Sequence, residues 1–232
     1  MKARDVMVSP VITVRPYSSV QDLAKIFMER HISAVPVVDD RSHVVGIVSE
    51  GDLIRRVEAG TDTTPRSWWL RAVVSPETLA GEYVKSHAKK ARDVMTSLAV
   101  TVTEETSVAD IATILETKQI KRVPVVRHGK PVGIVSRANL LHCLAETKGA
   151  DLEPPAPLDQ EIRQRLTTAL ERQPWANIGA TNVTVARGVV TLWGIVESAK
   201  EKQATRVAAE GIPGVVQVID NRALRQAVAV GY

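Results

Sequence analysis

The stretch GIVSEGDL, Gly46 to Leu53, reads as a buried β-strand that runs straight into the first turn of a helix. Its β-branched residues favour a strand, whereas Ser49, Glu50 and Asp52 are residue types that open helices and satisfy the unpaired N–H groups there. A second copy, GIVSRANL from Gly133 to Leu140, has Asn139 where the first has Asp52. Working outward from both copies in step exposes an internal repeat. AVPVV at 34–38 aligns with RVPVV at 122–126, and SVQDLAKIF at 19–27 with SVADIATIL at 107–115. Thr13-Val14 aligns with Thr101-Val102, and ARDVM at 3–7 with an identical ARDVM at 91–95. The offset is 88 residues up to the polar turns DDRSH and RHGK, where one residue is lost, and 87 beyond them. A repeat this collinear is one structural unit used twice.

Each unit predicts the order β-α-β-β-α. A short strand (VITV at 11–14, AVTV at 99–102) leads to a helix opened by Ser19 or Ser107, with Asp22 or Asp110 three residues on in the manner of a capping box. Val20, Leu23 and Phe27 form its apolar stripe in one copy, and Val108, Ile111 and Leu115 in the other. Two β-branched strands joined by a polar turn follow, and a second helix starts after Ser49 or Ser136.

Residues 57–90 are too long for a simple connection, and Ser75-Pro76-Glu77 is a good helix start with proline at the first position. A helical insertion is expected there, with Trp68 and Trp69 either packed onto the repeat core, the favoured reading because large aromatics bury most area, or forming a partner surface. LEPPAPLD at 152–159 breaks the pattern as a Pro-rich linker. Beyond it Ile162, Leu166 and Leu170 mark one helix face, and two alternating strands meet at Arg187-Gly188. A helix from Ser198 to about Glu210 and a last strand after Pro213-Gly214 complete a separate small unit. The expected division is residues 1–60 and 91–147 for the repeats, 61–90 for the insertion, 148–158 for the linker and 159–226 for the C-terminal unit. The fold class is α/β (α+β).

Composition narrows the function. A net charge of +4 and a pI near 9.3 suit an anionic partner, but the 30 basic and 26 acidic residues are interspersed, which argues against a dedicated nucleic-acid surface. One cysteine, Cys143, excludes an internal disulfide framework and a Cys-based zinc site. No run approaches the roughly 20 apolar residues of a membrane span, and MKARDVMVSP lacks the apolar core of a secretory signal, so a cytoplasmic protein is expected. HExxH, GxSxG and Walker loops are all missing, so neither catalysis nor a cofactor is expected.

The doubled unit, with ARDVM before it, an xVP turn inside it and GIVS followed by Asp or Asn three residues later, resembles the cystathionine-β-synthase (CBS) domain pair over roughly residues 1–147. TNVTVARGVVTLWGIV with GIPGVVQVIDNRAL resembles a BON domain, a small bacterial module associated with phospholipid and other hydrophobic surfaces. The CBS resemblance implies a pseudo-twofold module that associates into a homodimer and whose clefts hold adenosine derivatives such as AMP, ADP or ATP. Carried over residue by residue, it places Ser49 and Asp52 at the ribose and phosphate positions of the first repeat, and Ser136 and Asn139 at those of the second. It gives Ser33, Ala34, Val35 and Pro36, and in the second copy Lys121, Arg122, Val123 and Pro124, main-chain contacts to adenine and side-chain contacts to phosphates. Thr13 and Thr101 stand on the strands that line the adenine.

Each position also has a purely structural reading. Asp52 caps its helix, Lys121 and Arg122 are solvated strand-edge charges, and the threonines are good strand formers. The Asn139 carbonyl is expected to accept from one hydroxyl without charge assistance, weakening the second site by about 1–2 kcal/mol. The resulting expectation is a non-enzymatic sensor that binds an adenine nucleotide and signals through its BON domain to a partner protein. The alternatives are an oligomeric scaffold without nucleotide and, with less support, a nucleic-acid-binding regulator; a phospholipid partner is unsupported without a signal sequence.

Overall fold

The computed structural model describes residues 1–54, 84, 87–146 and 157–225. Most of the expected insertion at 61–90, including Trp68, Trp69 and Ser75-Pro76-Glu77, and most of the expected linker at 148–158 lie outside the described residues. Compactness divides the chain into two units, Ile12–Ala99 on one side and Met1–Val11 with Val100–Tyr232 on the other. Both are mixed α/β, as the repeat pattern requires.

The chain opens on a single helical turn, α1 (Ala3–Val6). The unit Ile12–Ala99 then runs through α2 (Val20–Arg30), β1 (Ala34–Val38), β2 (Val44–Ser49), α3 (Glu50–Ile54), a second turn α4 (Ala91–Val94) and β3 (Thr96–Ser97). Ser19 starts α2 as expected: its Oγ accepts from the Asp22 N–H at 3.0 Å and donates to the Asp22 carboxylate at 2.7 Å. Val20, Leu23 and Phe27 bury the helix against Val35, Val37 and Val48. β2 pairs antiparallel with β1 on one edge and with β3 on the other. The expected strand VITV contracts to one parallel bridge between Val14 and Val37. Pro10 and Pro16 flank it, and proline has no N–H to extend a ladder.

In the other unit β4 (Val102–Thr103), α5 (Val108–Thr117), β5 (Arg122–Arg127), β6 (Lys130–Ser136) and α6 (Arg137–Glu146) repeat the order. β4 runs parallel to β5 and β6 antiparallel to it. Ser107 caps α5 through Asp110 with the same two bonds, at 3.0 and 2.7 Å. The C-terminal part follows as α7 (Pro157–Glu171), β7 (Thr181–Ala186), β8 (Val189–Val196), α8 (Ala199–Glu210), β9 (Gln217–Asp220) and β10 (Ala223–Leu224). The β7–β8 hairpin turns at Arg187 and Gly188 with φ of 52° and 74°, the left-handed pair that matches strand twist. β9 and β10 both run parallel to β8. Ile162, Leu166 and Leu170 of α7 pack on Val183, Val185, Val190 and Leu192, so the helix face read from the sequence is the one buried.

The two ARDVM copies exchange places. Ala3, Val6 and Met7 join the second repeat's core with Val102, Ile111 and Val123, whereas Ala91 and Val94 join the first repeat's core with Leu23 and Val35. Backbone bonds fix each turn: Ala3 N–H donates to Thr106 at 2.8 Å, and Ala91 N–H to Ser18 at 2.9 Å. The glycine of each GIVS makes room for the methionine of the arriving turn. A Cβ on Gly133 would lie 2.8 Å from Met7 Cγ and 3.0 Å from the Val8 carbonyl oxygen; one on Gly46 would lie 2.6 Å from Met95 Sδ and 2.9 Å from the Thr96 carbonyl oxygen. The compact units therefore cut across the expected repeat boundaries: residues 1–11 fold with the second copy and 91–99 with the first.

Candidate functional site

In the first repeat β2 ends at Ser49 and α3 begins at Glu50, so the strand hands its last residue directly to a helix N-terminus. The Ser49 N–H and Oγ–H both donate to Asp52 Oδ2, each at 2.8 Å. Glu50 N–H donates to the Ser33 carbonyl at 3.0 Å, and Ala34 stands opposite Ser49 in the sheet register. Ser33, Ala34, Ser49 and Asp52 thus meet at one corner. Val35 is fully buried and Pro36 is buried, so their side chains belong to the core and only their main chain can serve a ligand. Thr13, half-buried, precedes the Val14 bridge on the opposite edge of β1.

The second repeat rebuilds the corner with other chemistry. Ser136 N–H and Oγ–H both donate to Asn139 Oδ1, each at 2.7 Å. Arg137 N–H donates to the Lys121 carbonyl at 3.1 Å, and Arg122 stands opposite Ser136. Val123 and Pro124 are buried, and Thr101 is exposed just ahead of β4. The expectation that the Asn139 carbonyl accepts from a ligand hydroxyl is corrected here. A backbone N–H can only donate, so the Ser136 amide fixes Oδ1 inward, and the two Ser136 donors use both of its lone pairs. Asn139 is 4% exposed, and among the described residues its Nδ2 has no hydrogen-bond partner.

Two contacts that sequence reasoning missed tie α7 and β8 to the second repeat. Arg163 of α7 donates through Nε to the Val183 carbonyl at 2.7 Å, and through its two terminal nitrogens to the carbonyls of Arg4 and Met7. Burial pulls this guanidinium down to about 10, opposed by the negative charge of Asp5 and by Cys143. His142 of α6 stacks on Trp193 of β8. No spacing rule joins residues this far apart in sequence. Glu50 and Arg137, by contrast, were legible, because they align one position after the paired serines.

Among the described residues no helix is long and apolar enough to cross a membrane, and no three His, Cys, Asp or Glu side chains are grouped to hold a metal ion.

A doubled β-α-β-β-α unit with strand-to-helix corners, followed by a small α/β module, defines a tandem-repeat protein with a separate C-terminal module. The family model described as "CBS domain" matches residues 3–59 and 91–146, and that described as "BON domain" matches 158–226. The chain belongs to the CBS-domain proteins, as a CBS pair followed by a BON domain. It is similar to the CBS domain-containing protein CBSX2, chloroplastic, of Arabidopsis thaliana, at 30% identity over 149 residues, which are 58% of this chain and 59% of that protein. CBSX1, chloroplastic, of the same plant is 30% identical over 144 residues, again 58% of this chain and 59% of that protein. The chain thus spans less than two thirds of the length of these curated relatives. A crystal structure of CBSX2 in complex with AMP has a TM-score of 0.55 and 28% identity to this chain, covering 63% of it and 98% of that chain.

Proposed function

We propose that the chain is a non-enzymatic cytoplasmic regulator that binds an adenine nucleotide through its CBS repeats, assembles as a homodimer and acts on a partner protein through its BON domain. The observation that carries the reading is the Ser49–Asp52 corner: a carboxylate and a hydroxyl held together at a helix N-terminus, on a chain whose fold is similar to that of a protein solved with AMP. A carboxylate accepts from ribose hydroxyls, a serine hydroxyl serves ribose or phosphate oxygens, and a helix N-terminus favours anions. The link toward the BON domain is supported by Arg163, which holds α7 against the carbonyls of Arg4 and Met7.

Calorimetric titration with AMP, ADP and ATP tests the reading. At least one is expected to bind, and Asp52→Ala is expected to weaken it at least tenfold while melting stays cooperative, through loss of a charge-assisted hydrogen bond of about 1.5–3 kcal/mol. No heat with any of the three nucleotides would leave the oligomeric scaffold as the better description.

A further inference from the structure

We infer that the corner of the second repeat receives an oxyanion and that, given the nucleotide-binding reading above, it selects an adenosine ligand carrying a phosphate on the 2′ or 3′ hydroxyl of its ribose, which the corner of the first repeat rejects. The two corners share backbone geometry and differ in polarity. In each, a serine at the end of a strand donates twice to the side chain three residues on, and the next backbone N–H reaches back to the residue just ahead of the preceding strand. In the first repeat the surrounding side chains are Ser33, Ala34, Glu50 and Asp52: two carboxylates and no lysine or arginine. At the equivalent places the second has Lys121, Arg122, Arg137 and Asn139: three cations, of which Arg137 donates through one terminal nitrogen to the Leu115 carbonyl at 3.3 Å, and no carboxylate.

Asn139 decides what this difference means. Its Oδ1 is spent on Ser136, so the group it turns outward is an N–H donor from a side chain otherwise buried. A carboxylate in its place, as at Asp52, has no donor to offer. A ribose hydroxyl can satisfy either corner, since it both donates and accepts. A phosphate in place of the 2′ or 3′ hydroxyl only accepts, and it is repelled by a carboxylate at that place while a lysine and two arginines attract it.

The test titrates the full chain with AMP and with adenosine 3′,5′-bisphosphate, and maps amide hydrogen exchange for each. The bisphosphate is expected to bind and to protect residues 136–140. Asn139→Asp keeps the acceptor for Ser136, so the variant retains its corner, and it is expected to lose at least tenfold in bisphosphate affinity while AMP binds no more weakly. Lys121→Ala, a change at an exposed side chain, is expected to weaken the bisphosphate several-fold. Bisphosphate affinity indifferent to Asn139→Asp, or protection confined to residues 49–53, overturns the selectivity and leaves nucleotide binding standing. If the bisphosphate does not bind, this inference falls; if AMP, ADP and ATP also fail to bind, the underlying reading falls with it.

Discussion

His142 and Trp193 stack with ring centroids 4.6 Å apart and planes 9° from parallel, so an aromatic contact joins the last helix of the second repeat to the central strand of the BON domain. Such pairs contribute roughly 0.5–1.5 kcal/mol beyond the area they bury. Trp193→Ala is therefore expected to lower stability by about 1–2 kcal/mol, and to raise amide exchange in both α6 and β8. Faster exchange in β8 alone would show that the stacking holds nothing outside the BON sheet.

Arg163 gives a larger effect. Arg163→Met keeps the apolar stem but leaves the carbonyls of Arg4, Met7 and Val183 without their donor, at a cost of about 3 kcal/mol. Urea denaturation is expected to show a lower midpoint with an unchanged slope.

The pH dependence of that variant has a defined sign. The folded-state guanidinium is depressed to about 10, below its ordinary value, so any change in its contribution lies between about 10 and that ordinary value, where the wild type gains relative stability as pH rises. From pH 6 to 9 the difference between wild type and Arg163→Met is expected to stay flat. A slope within that interval would mean that another group reports on the clamp.

Glu104 and Arg127 form a two-pronged ion pair at 2.6 and 2.7 Å, and the Arg127 hydrogen bond holds the Glu104 carboxyl below its usual range. A carboxylate held low in the folded state adds stability above its ordinary range and loses that contribution as pH falls through the folded value. Arg127→Ala is expected to move the Glu104 titration upward by NMR and to cost a small amount of stability at pH 7 that vanishes in acid. Glu104 titrating unchanged in the variant would show that the pair does not persist in solution.

Gly133→Ala tests the seat of the N-terminal turn. The new methyl would press on Met7 and on the Val8 carbonyl oxygen, 3.0 Å away, and overpacking of this kind costs about 1–3 kcal/mol. Adding Met7→Ala is expected to recover only part of the loss, since the carbonyl cannot be trimmed. Full recovery would put the entire strain on the flexible methionine.

Much of this was legible because the repeat supplies two independent readings of every element. Ser19 and Ser107 each predict a capped helix, and both caps form. Ile162, Leu166 and Leu170 predict a buried face by spacing alone, and all three are buried. Where partners are distant the sequence is silent: the identical ARDVM copies carry no mark of which core each one enters. The strand at Thr13 was overread because β-branched residues signalled a ladder that the neighbouring prolines curtail. At Asn139 the residue type permitted either an acceptor or a donor toward a ligand, and only the bonds from Ser136 choose between them.

The exchange of the two ARDVM turns bears on how the protein can be dissected. A cut anywhere in residues 61–90 yields an N-terminal piece holding the turn that completes the second core and a C-terminal piece holding the turn that completes the first. Each half alone exposes the cavity its missing turn should fill, and carries a spare turn shaped for the other. Mixed together, the halves are complementary fragments, and recovery of a folded complex from two unstable pieces is the behaviour this arrangement requires.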